Sequence, residues 1–335
     1  MNVRMAGIDY SMAGLHIREK FSFTKSCQNK IYEKLKLNEN ILGSVIVSTC
    51  NRTEIYLSCV DGYEANPFEI ICSIIDADYL KYQNLHKARQ GEDLFWHLCR
   101  LSCGAKSQIW GEDQIITQVK NSLILARENN ATDNILEVLF RTAITCAKKI
   151  KTKIKFSNSE NTVALKTLSV LNKHKDIGNK VLVIGNGEVG KLVAKTLIEN
   201  EYDVTMTLRQ YKYSDVQLPI GAKAIDYAER YENMADFDIL ISCTLSPHFT
   251  VEKEKLLLVK SYPKIMIDLA VPRDIESDIA DLGNITLYDI DTIGKDAINK
   301  SHAQQLEEID AIIEKYHGDF IKWKNYSKNK ELVTI

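Results

Sequence analysis

The chain has 335 residues, 45% of them hydrophobic, and a formal net charge of -2. That length accommodates two domains and an appendage, and the near-neutral charge excludes a global field drawing the protein to nucleic acid or anionic membrane, so any RNA contact must be local. No apolar run spans a bilayer, the N-terminus MNVRMAGIDY lacks the basic start and apolar core of a signal peptide, and the eight cysteines form no CxxC pair, which points to a cytoplasmic protein with reduced thiols and no metal site.

Residues 3–10 read as a strand and residues 17–20 and 31–35 as helices. Residues 45–47 and 54–58 read as strands flanking a turn, so the first segment is a small α+β unit with a mixed or antiparallel sheet. The turn runs Ser48-Thr49-Cys50-Asn51-Arg52-Thr53-Glu54-Ile55-Tyr56. A cysteine ends the buried strand, and Arg52, whose rigid fork suits carboxylates, stands two residues on. A nucleophile beside an anion clamp suits acyl chemistry on an acidic substrate. A lone cysteine equally packs as a small hydrophobe.

From 67 to 155 the pattern turns helical. His97 is an acid/base candidate, or a core histidine satisfied by its neighbours. Gly104 and Gly111 bracket a polar turn containing Ser107, and a helix then runs from about Glu112 to Ala126. Gln114 and Gln118 share one face of it, which is either functional or a solvated first turn, with Glu112 near the positive end of the dipole. Residues 134–155 form an amphipathic helix whose end carries Lys148, Lys149, Lys151, Lys153 and Lys155. Five cations exceed what the dipole needs, so a phosphate contact and a solvated face are both open readings.

Residues 157–161 are a polar break, which sets domain bounds of 1–157, 158–290 and 291–335. A helix follows from 162 to about 174. Residues 180–184 then read as an apolar strand running into Gly185-Asn186-Gly187-Glu188-Val189-Gly190 and a helix. In that context the pattern is a dinucleotide fingerprint, with the tight turn at Gly185, close phosphate approach at Gly187 and helix packing at Gly190. The next strand, 203–208, ends at Arg209 where an acid would hold the ribose hydroxyl of NAD, which favours the 2′-phosphate of NADPH. Buried runs at 237–244 and 264–271 complete a doubly wound parallel sheet. The loops at 244–248 and 271–274 are expected to wall the cofactor, with Asp268 and Arg273 as an alternative structural ion pair. In the tail, Leu306, Ile309, Ile313, Tyr316, Phe320 and Trp323 make an apolar stripe that packs on the chain's own domains or on a partner helix.

Together these residues resemble the glutamyl-tRNA reductase family over nearly the whole chain to about Trp323. The block from Ser48 to Tyr56 is similar to the family's signature S-T-C-N-R-x-E-I-Y. The stretch from His97 through Gly111-Glu112-Asp113-Gln114-Ile115 to Gln118-Val119-Lys120 is similar to a second signature. Gly7-Ile8-Asp9-Tyr10, Arg18-Glu19-Lys20, residues 181–190 and the run I-D-L-A-V-P-R-D-I at 267–275 also match. The resemblance implies a multidomain α/β protein with an N-terminal α+β catalytic domain, a Rossmann-type doubly wound NADPH domain and a C-terminal connecting helix. It implies that Cys50 attacks the ester of glutamyl-tRNA(Glu), and that NADPH reduces the thioester to glutamate-1-semialdehyde, the first step of tetrapyrrole synthesis. In that scheme His97 supports catalysis. Thr49, Asn51, Arg52, Ser107, Glu112, Asp113, Gln114 and Gln118 line the glutamyl pocket, with Arg52 on the substrate carboxylate. The partners implied are the charged tRNA and the next pathway enzyme, glutamate-1-semialdehyde aminomutase. The family's usual dimerisation domain is missing, which leaves the oligomeric state open. Leu208, Leu245-Ser246 and Gly14 stand where the family has asparagine, Gly-Ala and proline. Two other readings stay on the page: a shikimate dehydrogenase-like oxidoreductase, and a shortened non-catalytic paralogue that binds charged tRNA or a pathway partner.

Overall fold

The computed structural model describes residues 2–156, 162–209, 217–294 and 302–333. Residues up to 156 together with 302–333 form one compact unit, and 162–294 form another. The boundary expected at 157–158 lies outside the described residues, as does the stretch 295–301 of the tail.

The first unit begins with β1 (Asn2–Asp9), the short helix α1 (Leu15–Arg18) and α2 (Lys25–Leu35). Thr24 starts α2 by accepting the Cys27 amide, one of the orphan donors of a helix N-terminus. β2 (Ile41–Ser48) and β3 (Arg52–Cys59) follow, then α3 (Pro67–Ile74), α4 (Tyr79–Tyr82) and β4 (Lys87–Gln90). The strands pair in the order β2-β3-β1-β4, antiparallel throughout. This is the antiparallel form of the sheet expected from sequence.

α2 and α3 pack on this sheet, as do α5 (Gly91–Ser102), α6 (Gln114–Glu128) and α7 (Asn134–Lys153). Asp133 caps α7 through the Leu136 amide at 2.9 Å and also accepts the Ser58 hydroxyl at 2.7 Å, which ties the helix start to β3. Tyr56 of β3 meets Phe140 of α7 edge to face, with ring centroids 5.0 Å apart.

The second unit contains α8 (Val163–Leu171), β5 (Lys180–Ile184), α9 (Glu188–Ile198), β6 (Asp203–Leu208), β7 (Lys223–Asp226), β8 (Ile239–Ser242), α10 (Lys253–Leu256), β9 (Ile265–Asp268), β10 (Thr286–Asp289) and α11 (Ile290–Gly294). Its six strands are all parallel, in the order β10-β9-β8-β5-β6-β7. The chain order reverses between β5 and β8, the switch point where such sheets bind ligands.

α12 (His302–Val333) belongs with the first unit. Its stripe turns inward: Ile309 and Ile313 are fully buried and Phe320 stacks on Phe95 of α5 at 5.2 Å. Arg100 of α5 grips Asp310 with two hydrogen bonds of 2.9 and 2.7 Å. Of the two coverings open from sequence, the structure has the stripe on the chain's own first unit. Ile313→Ala should therefore destabilise the first unit by about 2–4 kcal/mol through lost burial and a residual cavity, read as a lower denaturant midpoint.

Candidate active site

β2 ends at Ser48 and β3 begins at Arg52, so Thr49, Cys50 and Asn51 form the turn between two paired strands. The turn is closed by its own backbone, with the Thr49 amide donating to the Arg52 carbonyl at 2.8 Å. The Asn51 amide donates to the Thr49 hydroxyl, and Tyr10 fixes the Asn51 carbonyl from β1's end. Arg18, only 4% exposed, donates to the Cys50 carbonyl at 2.8 Å, to Asn51 Oδ1 at 3.4 Å and to the Ala13 carbonyl at 3.2 Å. Sequence reading placed Arg18 only in an opening motif. Its bond to the Cys50 carbonyl follows from tertiary folding across 32 residues and leaves no local signal.

Cys50 is half-buried. Burial pushes its thiol up to about 12 and the Glu112 carboxylate adds to that, while Arg18 and Arg52 pull the other way without prevailing. The isolated turn thus holds a protonated thiol, with a carboxylate bearing on it from the second loop.

Behind the turn, strand periodicity puts Arg52, Glu54 and Tyr56 on one face of β3. Arg52 Nη1 pairs with Glu54 Oε1 at 2.8 Å, Tyr56 donates to Glu54 Oε2 at 2.6 Å, and His97 Nε2 lies 2.9 Å from Glu54 Oε1. Burial alone would raise the Glu54 carboxyl; His97, Arg52 and the Tyr56 hydroxyl outweigh it and hold it well below the usual carboxylate range. An ionised Glu54 accepts, so His97 donates through Nε2. His97 Nδ1 is buried and has no partner among the described residues.

Arg52 is 3% exposed. Its second terminal nitrogen donates to the Lys106 carbonyl, and Asp9 lies 3.9 Å from the first. Its charge is thus committed to Glu54 and its fork bridges β3 to the second loop. Gly7 makes the room: paired with Glu54 across the sheet, it would place a Cβ 2.6 Å from Glu54 Cγ.

The second loop runs from Gly104 to Asp113, both bracketing glycines having positive φ and Gly111 donating to the Gly104 carbonyl at 3.1 Å. Ser107 and Glu112 are half-buried there, and Asp113 is exposed. α6 starts at Gln114, two residues later than the sequence suggested, with Gln114 and Gln118 half-buried one turn apart. Lys151 of α7 holds this loop: its Nζ donates to the Gly111 carbonyl at 2.9 Å, the Glu112 carbonyl at 3.1 Å and Asp113 Oδ1 at 2.5 Å.

In the second unit the glycine loop fits a nucleotide. A Cβ at Gly190 would sit 2.0 Å from the Gly185 carbonyl oxygen, and Gly185 adopts φ +114, so both positions require glycine. Nothing lies within 4 Å of a Cβ built at Gly187. Gly187 caps α9 without a side-chain bond, so the amides of Glu188, Val189 and the helix start face outward for a phosphate. Arg209 follows β6 and stacks over Tyr227 at 5.2 Å. Asn186 lies within the loop.

Of the two readings open for Asp268 and Arg273, the alternative of a mutual ion pair is not formed. Asp268 accepts the backbone amides of Ala270, Asp274 and Ile275 at 3.0, 2.9 and 2.8 Å, while Arg273 reaches Asp289 at 3.8 Å. Asp274, which sequence reading placed only in a loop walling the cofactor, binds the Ser242 hydroxyl at 2.7 Å and both the amide and hydroxyl of Thr244, at 2.7 and 2.6 Å. It fixes the loop after β8 at the sheet's carboxyl edge. Among the described residues, Glu92, Glu314 and His317 bring ligand atoms within 4.8 Å of one another, but both carboxylates are exposed and Glu92 already accepts from Trp96.

Residues 6–154 match the profile of the N-terminal domain of glutamyl-tRNAGlu reductase, and 167–295 match that of shikimate/quinate 5-dehydrogenase. A curated glutamyl-tRNA reductase from Acetivibrio thermocellus is 53% identical over 328 residues, covering 98% of each chain. One from Alkaliphilus oremlandii is 51% identical, covering 96% of this chain and 97% of its own. Among solved structures, glutamyl-tRNA reductase from Methanopyrus kandleri has the same fold, with a TM-score of 0.53 at 24% identity over 99% of this chain and 82% of that one.

Two outcomes follow from the thiol's surroundings. Glu112→Gln should speed iodoacetamide alkylation of Cys50 several-fold at pH 8, and Arg18→Met should slow it, because each removes a charge acting on the thiolate. Gly7→Ala should displace Glu54 and destabilise the first unit by roughly 1–3 kcal/mol through overpacking, read as a lower denaturant midpoint.

Proposed function

The chain belongs to the glutamyl-tRNA reductase family, and we propose that it reduces glutamyl-tRNA(Glu) to glutamate-1-semialdehyde with NADPH, through a thioester on Cys50, as the first step of tetrapyrrole synthesis. The observation that carries this reading is the Cys50 turn, with its carbonyl gripped by Arg18 and the Glu112 carboxylate bearing on its thiol.

Cys50 Sγ attacks the carbonyl carbon of the ester that joins glutamate to the 3′-terminal ribose. The S–C bond forms, the C–O bond breaks, and the tRNA leaves with a proton on its ribose oxygen. A thiol held protonated needs a base at the moment of attack. Glu112, the carboxylate whose field acts on that thiol, takes the proton. Arg18 keeps the turn fixed, and Arg52 ties β3 to the loop that presents Ser107 and Glu112. His97 is oriented by Glu54, keeps a buried Nδ1 with no partner among the described residues, and supports catalysis. Asn51, Thr49, Asp113, Gln114 and Gln118 complete the walls of the glutamyl pocket.

The reduced nicotinamide supplies the hydride that takes the thioester carbonyl to the aldehyde level. In this chain Gly185, Asn186, Gly187, Glu188, Val189 and Gly190 would hold its pyrophosphate, and Arg209 its 2′-phosphate. Asp274 would keep the Thr244 loop in shape beside it.

The test is acylation without reductant. Labelled glutamyl-tRNA should leave a thiol-sensitive label on the wild-type protein and none on Cys50→Ser, and NADPH should release it as an aldehyde. Turnover of Cys50→Ser should fall roughly a thousandfold or more. A wild-type protein that binds the tRNA yet takes no label would overturn the reading in favour of a non-catalytic binder.

A further inference from the structure

The exposed face of α7 carries charge that the fold does not use. Arg141, Thr145, Lys148, Lys149, Thr152 and Lys153 are all exposed and recur at helical spacing on the side opposite the buried Ala143, Ala147 and Ile150. From 138 to 156 the chain contains no Asp or Glu. Thr145 and Thr152 turn their hydroxyls back onto the carbonyls of Arg141 and Lys148, so the stripe's polar groups between the cations are already satisfied. The side chains of Arg141, Lys148, Lys149 and Lys153 have no hydrogen bond or ion pair among the described residues, whereas Arg127 and Glu137 just before them pair with each other. From Arg141 to Lys153 the stripe runs about 18 Å at the rise of an α-helix.

Lys151 separates this stripe from a simple solvated face. It leaves the row of cations and bonds to Gly111, Glu112 and Asp113, so the same helix end that carries the free lysines also anchors the loop whose Glu112 acts on Cys50. A polyanion lying along α7 would therefore be led toward the nucleophile. The macrodipole accounts for one or two cations in the last turn; it does not account for Arg141 and Lys148, which lie further back.

We propose that the exposed stripe Arg141–Lys148–Lys149–Lys153 binds the sugar–phosphate backbone of an RNA whose 3′ end is delivered to Cys50. This rests on the reading of the site as an acyl acceptor from a charged tRNA. An RNA backbone fits because its phosphates form a row of like charge, and lysines meet phosphates as point charges without reading sequence. The contact supplies affinity and direction, and the glutamyl pocket supplies selection.

The measurement is binding of uncharged tRNA, with acylation as a second readout. A triple variant, Lys148→Glu with Lys149→Glu and Lys153→Glu, is compared with a charge-matched control, Lys30→Glu with Lys260→Glu and Lys264→Glu, all of them exposed positions. The stripe variant should bind at least roughly tenfold more weakly at 0.1 M salt, and the corresponding Lys→Gln variant should lower the slope of log affinity against log salt by about 2–3. Acylation of Cys50 by the glutamyl ester of adenosine, which lacks the backbone, should be unchanged in both. Equal weakening in the stripe and control variants would overturn the proposal, as would a stripe variant that binds like wild type. A wild type that binds tRNA through the stripe but is acylated by neither ester would instead refute the acyl-transfer reading and leave the surface established.

Discussion

The first unit's site depends on one buried charge. Glu54 is 2% exposed and ionised, a state that costs several kcal/mol unless it is met by partners on every side. Arg52, His97 and Tyr56 meet it, and each is thereby locked in turn. Arg52 then reaches the Lys106 carbonyl, so the position of the second loop is set through the same carboxylate. His97, on α5, is aimed by an atom on β3. The Cys50 turn, the helix that carries His97 and the loop that carries Glu112 share one anchor.

The second unit handles buried carboxylates differently. Asp268 and Asp274 meet backbone amides and hydroxyls rather than a paired cation among the described residues. Burial consequently wins, raising Asp274 and pushing Asp268 up to about 7, the opposite direction to Glu54. Dipoles can shape a loop without adding net positive charge to it. After β6, by contrast, a cation is present: Arg209, stacked on Tyr227.

Much of this was legible in the sequence. Period-two and period-3.6 patterns located β1 to β3, α7 and the central parallel strands, because those segments bury one face or both. β4, β7 and β10 went unread because they are four-residue strands with exposed or half-exposed positions, where alternation carries no signal. The glycine fingerprint was readable since each glycine answers a local steric demand. Cys50, Arg52 and His97 stood out by residue type, but the partners of Arg52 did not: a fork that looks free in sequence is committed once Glu54, two residues on, shares its strand face. Arg18 and Asp274 act through contacts 32 and 30 residues away, which no pattern of spacing encodes. The tail's apolar stripe was visible, and its covering surface was not, since that surface is assembled from α5 and α7.

The protonated state of Cys50 has a bearing on how the protein survives between turnovers. Peroxides attack thiolates far faster than thiols. A cysteine whose surroundings keep its proton is chemically quiet until a reactant brings a reason to lose it. Burial likewise pushes the Cys72 and Cys103 thiols up to about 11 and 12. The Cys50 turn therefore offers no standing thiolate to such oxidants.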